Sequence, residues 1–203
     1  MAAPAVANII MGGATLYQAV VGTAVVDETT VAAGAAWTSP WARVGYTKAP
    51  LTCIYTDEHF YADVEEELTE VKGRRVKEGT ILETVLAELT PAYLNLALGG
   101  TVTTTAAGAS QTAFEDLPVG GTATLPEYAW GFEGTYVNTA GVSFPVRYTL
   151  YRGIAKLNGP LTFSNRNNEY PGISLQIRGL ADTSKTVGNK LFNFHRVTAV
   201  ATS

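Results

Sequence analysis

Residues 79–100 read Gly79-Thr80-Ile81-Leu82-Glu83-Thr84-Val85-Leu86-Ala87-Glu88-Leu89-Thr90-Pro91-Ala92-Tyr93-Leu94-Asn95-Leu96-Ala97-Leu98-Gly99-Gly100. Thr80 followed three residues later by Glu83 has the spacing of a capping box, which predicts a helix beginning at Thr80. Leu82, Val85, Leu86 and Leu89 then recur at helical spacing, and Tyr93, Leu96 and Ala97 prolong the stripe. Pro91 lacks an N–H and clashes with the preceding turn. Either the helix kinks there, or Thr90 caps a second short helix with Pro91 at its first position. Gly99 and Gly100 end the segment. Leu94 and Leu98 fall outside the stripe, toward Glu83 and Ala87. That side needs a second partner, from the same fold or from a neighbouring subunit.

A chain of 203 residues fits one domain, spanning 1–203, with residues 1–40 as an N-terminal strand and arm and 101–126 as a loop region. Hydrophobic residues make up 46% and charged residues 16%, the latter well below the roughly 25% usual in soluble proteins. Much of the surface is therefore covered without charge. The net charge of −4 and pI near 5.2 argue against nucleic acid as a tightly held ligand, because that affinity comes mainly from Lys and Arg neutralising phosphates. Cys53 is the single cysteine and no Asn-x-Ser/Thr acceptor occurs, which favours folding inside the cell. The first 26 residues carry no charged side chain. They also lack a basic leader, and Asn8, Gly12, Gly13, Gln18 and Gly22 interrupt them, so no membrane partner is expected.

Along the chain, Thr15 to Val21 reads as a short strand and Gly22 to Ala36 as a low-complexity arm ordered only against something else. Trp37 and Trp41, flanking Ser39-Pro40, are two large anchors for that arm, on its own domain or on a neighbour. Val44 to Thr56 reads as a strand broken near Pro50. Asp57 to Glu70 then carries Asp63, Glu65, Glu66, Glu67 and Glu70, after which the sign flips at Lys72, Arg74, Arg75 and Lys77. Two readings stand: a solvated loop and hairpin, or a strand polar on both faces that borders a water-filled channel. Thr101 to Ala113 has no periodicity and reads as a loop.

The remainder is strongly β. Trp130, Phe132 and Tyr136 alternate with polar or small residues, as do Val142, Phe144, Val146, Tyr148 and Leu150, with a hairpin turn at Asn138 to Gly141. Leu161 and Phe163 start another strand, Ile173 to Ile177 alternates, Asp182 to Asn189 is a loop, and Leu191 to Val200 is a last, bulged strand. The expected fold is mainly β (α+β): a β-sandwich or partly closed barrel with one flanking α-helix, long hairpins and extended arms.

Catalytic chemistry is poorly supplied. His59 and His195 are the two histidines. Asp57, Glu58 and His59 are neighbours on an extended segment, so their side chains are expected to diverge. The common nucleophile-elbow, phosphate-loop and zinc motifs are missing from the sequence. Cys53, in an alternating strand, reads as a small core residue. No enzyme, no metal and no cofactor are expected.

In the order and character of its elements the chain resembles the major tail tube proteins of long-tailed bacteriophages. The residues that carry the likeness are the uncharged arm followed by Trp41-Ala42-Arg43-Val44-Gly45-Tyr46-Thr47, and the acidic loop leading through Val71 to Lys77 into Ile81 to Leu89. The hairpin ending Arg147-Tyr148-Thr149-Leu150-Tyr151-Arg152 and Leu161-Thr162-Phe163-Ser164 with the Ile173 to Leu180 strand complete it. The resemblance implies a virion protein, folded in the host cytoplasm, that assembles into hexameric rings. These stack into a tube around a tape measure protein, meet tail terminator and distal tail proteins, and later pass DNA without holding it. Two long hairpins per subunit would line the bore. Its acidic candidates are Glu65, Glu66, Glu67, Glu70 and Glu133, whose charge would keep the genome from sticking. Leu94, Leu98, Trp37, Trp41 and Asp63 are the candidate subunit or ring contacts. The alternative from another class is a β-sandwich module that binds carbohydrate or protein.

Overall fold

The computed structural model describes residues 13–28, 36–63, 65, 69–121, 124–138, 140–161 and 172–199. Ten strands and one helix follow in chain order among them: β1 (Thr15–Val20), β2 (Ala42–Arg43), β3 (Thr52–Ala62), β4 (Lys72–Leu86), α1 (Pro91–Leu98), β5 (Thr103–Thr105), β6 (Phe114–Asp116), β7 (Glu127–Val137), β8 (Ser143–Leu157), β9 (Ile173–Gly179) and β10 (Phe192–Arg196). Eight strands form one antiparallel sheet in the order β2-β1-β7-β8-β9-β4-β3, with β10 also paired to β8. β5 and β6 form a separate ribbon within the stretch expected to be a loop.

The helix expected from Thr80 is instead the second half of β4. Thr80, Leu82, Thr84 and Leu86 are buried and alternate with half-exposed Ile81, Glu83 and Val85, so Leu82 and Leu86 satisfy a period of two as well as a helical one. Local preference is weak here, since Thr80, Ile81, Thr84 and Val85 are β-branched and stiff at χ1. Tertiary pairing decides it: β3 bonds one edge of this segment and β9 the other. The supposed capping residues have other partners. The Thr80 hydroxyl lies 2.8 Å from that of Tyr148, and Glu83 accepts from the Gln176 amide at 2.6 Å. Helix is confined to α1, the second of the two outcomes open at Pro91: the Thr90 hydroxyl accepts from the Tyr93 N–H at 3.3 Å, Pro91 opens the helix, and Gly99 at φ 68° ends it.

The sheet curls on itself. Tyr148 of β8 reaches Thr80 of β4, while Phe192 of β10 stacks on Tyr148 at 4.5 Å and meets Tyr55 of β3 edge-on at 6.1 Å. Leu16, Leu82, Leu86, Trp130, Leu150, Ile173, Leu175 and Ile177 pack with Leu96 and Ala97 of α1 into one core. The fold is thus mainly β with a single helix laid against β8 and β9.

Three smaller expectations change. Cys53 is exposed, because β3 is an edge strand with little packed over it there. The last strand is the short, unbulged β10; the bulges lie at Glu58/His59 in the β3–β4 pair and at Tyr128/Trp130 in the β7–β8 pair. The Phe163 strand and the end of the Leu191 to Val200 segment fall outside the described residues.

Candidate assembly surfaces

Beyond the curled body, the β3–β4 hairpin continues as a two-stranded ribbon. Thr52 to Tyr61 and Lys72 to Glu78 are exposed at every position, so neither ribbon face is covered. Over Asp57–Ala62 the charge run forms one strand of a hairpin exposed on both faces, which agrees with the solvated hairpin and with the strand half of the other reading. Opposed residues of an antiparallel pair project to one side. The register therefore puts Tyr55, Asp57, His59 and Tyr61 with Glu78, Arg75 and Gly73 on the inner face, which continues the core side of Leu82. Ile54, Thr56, Glu58 and Phe60 share the outer face with Ile81, Lys77, Arg74 and Lys72.

The inner face carries a polar ladder. His59 Nε2 lies 2.6 Å from Asp57 Oδ2, Arg75 lies 3.8 Å from the same oxygen, and Glu78 Oε2 accepts from Arg75 Nη1 at 2.9 Å and from the Tyr55 hydroxyl at 3.0 Å. The hydrogen bond from His59 holds the Asp57 carboxyl below its ordinary value, and the one to Glu78 raises Arg75. Asp57 and His59 were expected to diverge. They converge because positions two apart on a strand share a face, and only Glu58 points away. Next to the ladder, the Tyr61 ring stacks on His59 at 5.9 Å and covers Gly73. The ribbon also exposes Phe60 (57%), Tyr61 (51%), Val71 (50%) and Val76 (48%).

The acidic tip is only partly described. Asp63, Glu65 and Glu70 are exposed, and Glu66 and Glu67 lie outside the described residues. Glu133 sits elsewhere, half-buried on the outward side of β7. Its Oε2 accepts from Arg147 Nε at 2.6 Å and from Trp37 Nε1 at 2.7 Å, and Arg147 also pairs with Glu28. Burial pushes the Glu133 carboxyl up. Trp37 stacks on Tyr17 at 4.7 Å and lies over Gly131, where a Cβ would run into the indole. Trp41 is buried with Ala19 and Ala129, and its N–H donates to the Ala24 carbonyl at 2.9 Å. Both tryptophans therefore seat the arm on its own sheet. Leu94 is half-buried against the core and Leu98 is half-buried at the end of α1. The structure thus gathers Trp37, Trp41 and Glu133 on one side of β7, apart from the acidic tip and from α1.

Sequence reading missed the Asp57–His59–Arg75–Glu78 ladder and the Glu28–Arg147–Glu133 cluster. Period-two spacing was the available signal for the first. Nothing local links residues 28, 133 and 147. Among the described residues no cluster has the three or more His, Cys, Asp or Glu a metal site needs, and no helix is long and apolar enough to cross a membrane. The sequence matches no family model and no curated protein.

Proposed function

We propose that this protein is a structural subunit whose copies close into rings and stack into a tube of the phage-tail kind. What carries the reading is the β3–β4 ribbon: a long edge hairpin, bare on both faces, bearing Ile54, Tyr55, Phe60, Tyr61, Val71 and Val76 at 38% exposure or more. Unpaired edges and exposed apolar side chains invite association unless a partner covers them. Copies placed side by side satisfy both needs, and a ribbon with polar positions on each face can border water in the bore while meeting neighbours at its edges. In this role the protein folds in the host cytoplasm and ends in the virion. There it surrounds a tape measure protein, joins terminator and distal tail proteins, and passes DNA without gripping it.

Sedimentation velocity over a rising concentration series, followed by negative-stain electron microscopy, tests the proposal. Large species that image as rings or hollow tubes support it. A monomer at every concentration, or one that binds glycans while staying monomeric, sinks it in favour of a binding module.

A further inference from the structure

At the root of the ribbon, beside β4 where its pairing with β9 ends, lies a cleft of about 440 Å³. The outer-face residues Thr56, Glu58, Lys77 and Ile81 line it together with Arg178 of β9, paired to Ile81, and Lys190 of the loop after β9. Lys77, Arg178 and Lys190 make no ion pair with any described residue. Asp57 and Glu78 also border the cleft, but their carboxylates are engaged by His59, Arg75 and Tyr55 on the opposite face. Glu58 is the one carboxylate left facing it from the ribbon. Lys72 and Arg74 share the outer face with Lys77 and extend it toward the tip, so a basic strip leads to the Lys77–Arg178–Lys190 side of the cleft, on a chain that is acidic overall.

The tip of the same ribbon has the opposite character: between Ala62 and Lys72 the chain carries Asp63, Glu65, Glu66, Glu67 and Glu70 and no Lys or Arg. A strand rises about 3.3 Å per residue, which puts Asp63 roughly 16 Å along the ribbon from Glu58 at the cleft. The ribbon is a paired, extended hairpin over that length. Asp63 and Glu70, which flank its last paired residues, therefore stand away from the cleft of their own chain.

We infer that the Lys77–Arg178–Lys190 cleft receives the acidic hairpin tip of a second copy of this chain. This deepens the assembly reading and rests on it. The joined surfaces are different patches, so the contact is head-to-tail and propagates from copy to copy, closing into a ring or continuing as a filament. Opposite charges at the rim also fix register and steer encounter. A phosphate backbone is the weaker occupant, because the acidic tip on the same ribbon and the net charge of −4 repel it.

The test is a charge swap on the full chain. The cleft variant Lys77→Glu/Arg178→Glu/Lys190→Glu and the tip variant Asp63→Lys/Glu65→Lys/Glu70→Lys should each raise the concentration needed for assembly about tenfold or more. Thermal melts followed by circular dichroism verify that each is folded. An equimolar mixture of the two, in which every cleft again meets a tip of opposite sign, should assemble near the wild-type concentration. Normal assembly of the cleft variant alone, or no recovery in the mixture, overturns the inference while leaving the tube proposal intact. A wild type that never assembles sinks both. A single-stranded DNA oligonucleotide retained by the wild type and lost in the cleft variant, with assembly unchanged, assigns the cleft to nucleic acid instead.

Discussion

The two long hairpins of this protein share a backbone plan and differ in what lies over them. β7–β8 and β3–β4 are both antiparallel, pair over ten and eleven positions respectively, and each carry one bulge. Around β7–β8 the chain supplies cover: Trp37 lies on Gly131, β1 pairs one edge, β10 pairs part of the other, and Tyr136, Phe144 and Val146 are buried together with the Tyr136 hydroxyl donating to the Val197 carbonyl at 2.6 Å. Around the outer half of β3–β4 it supplies none. Strand geometry alone does not create a core. Burial comes from whichever segments can be brought across each face, and the ribbon is left for something outside the described chain.

That contrast can be broken most sharply by removing a large side chain from each hairpin. Trp130→Ala empties a fully buried site and should cost about 3–5 kcal/mol in urea unfolding, whereas Phe60→Ser on the ribbon should change monomer stability by no more than about 0.5 kcal/mol. Equal losses would mean that the ribbon is packed after all. Comparable in size is Arg147→Met, which leaves Glu133 and Glu28 without their cation. Breaking a buried pair in this way costs about 3–5 kcal/mol, and the double variant Arg147→Met/Glu133→Leu should regain much of it. No recovery in the double variant would show that Arg147 acts through packing instead.

A smaller effect separates two glycines. Gly131→Ala drives a methyl group into the Trp37 ring, displacing a packed indole at a cost of about 1–3 kcal/mol and shifting tryptophan fluorescence. Gly73→Ala on the ribbon meets the Tyr61 ring at 3.0 Å, and that exposed ring can swing aside, so the melt should hardly move. Similar melting shifts for the two variants would remove the distinction. The smallest expected change concerns acid. Hydrogen bonds from Ser184 hold the Asp182 carboxyl below its ordinary value. A depressed carboxylate contributes stability above its unfolded pKa and loses it as pH falls through the folded one. Asp182→Asn should therefore flatten part of the acid-side fall in unfolding free energy, and an unchanged profile would exclude this group.

Much of the fold was legible where one reading fits one environment. The alternations at Phe144 to Leu150 and Ile173 to Ile177 could bury only one face, and both became strands flanked by other strands. Asn138 set the turn between β7 and β8, with its side-chain oxygen accepting from the Ala140 and Val142 N–H groups. Thr80 to Leu86 was ambiguous in kind, because its leucines satisfy both periods and its Thr-x-x-Glu spacing caps a helix only where a helix has room. The Asp57–His59 contact was available from strand spacing. The Glu28–Arg147–Glu133 cluster was not, since its members lie far apart in the chain and meet only when the arm crosses the sheet.

By itself the sequence determined a mainly β chain with low charge, a helix stop at Gly99-Gly100, and an acidic turn followed by a basic run. These depend on local sterics, periodicity and the free-energy cost of burying charge. Tertiary structure alone decided that Thr80 to Leu86 is a strand, that Trp37 and Trp41 are spent on their own sheet, and that the acidic turn and the basic cleft sit at opposite ends of one ribbon. Each of those outcomes follows from which distant segment supplies the second set of hydrogen bonds or the covering side chains, and no window of neighbouring residues contains that information.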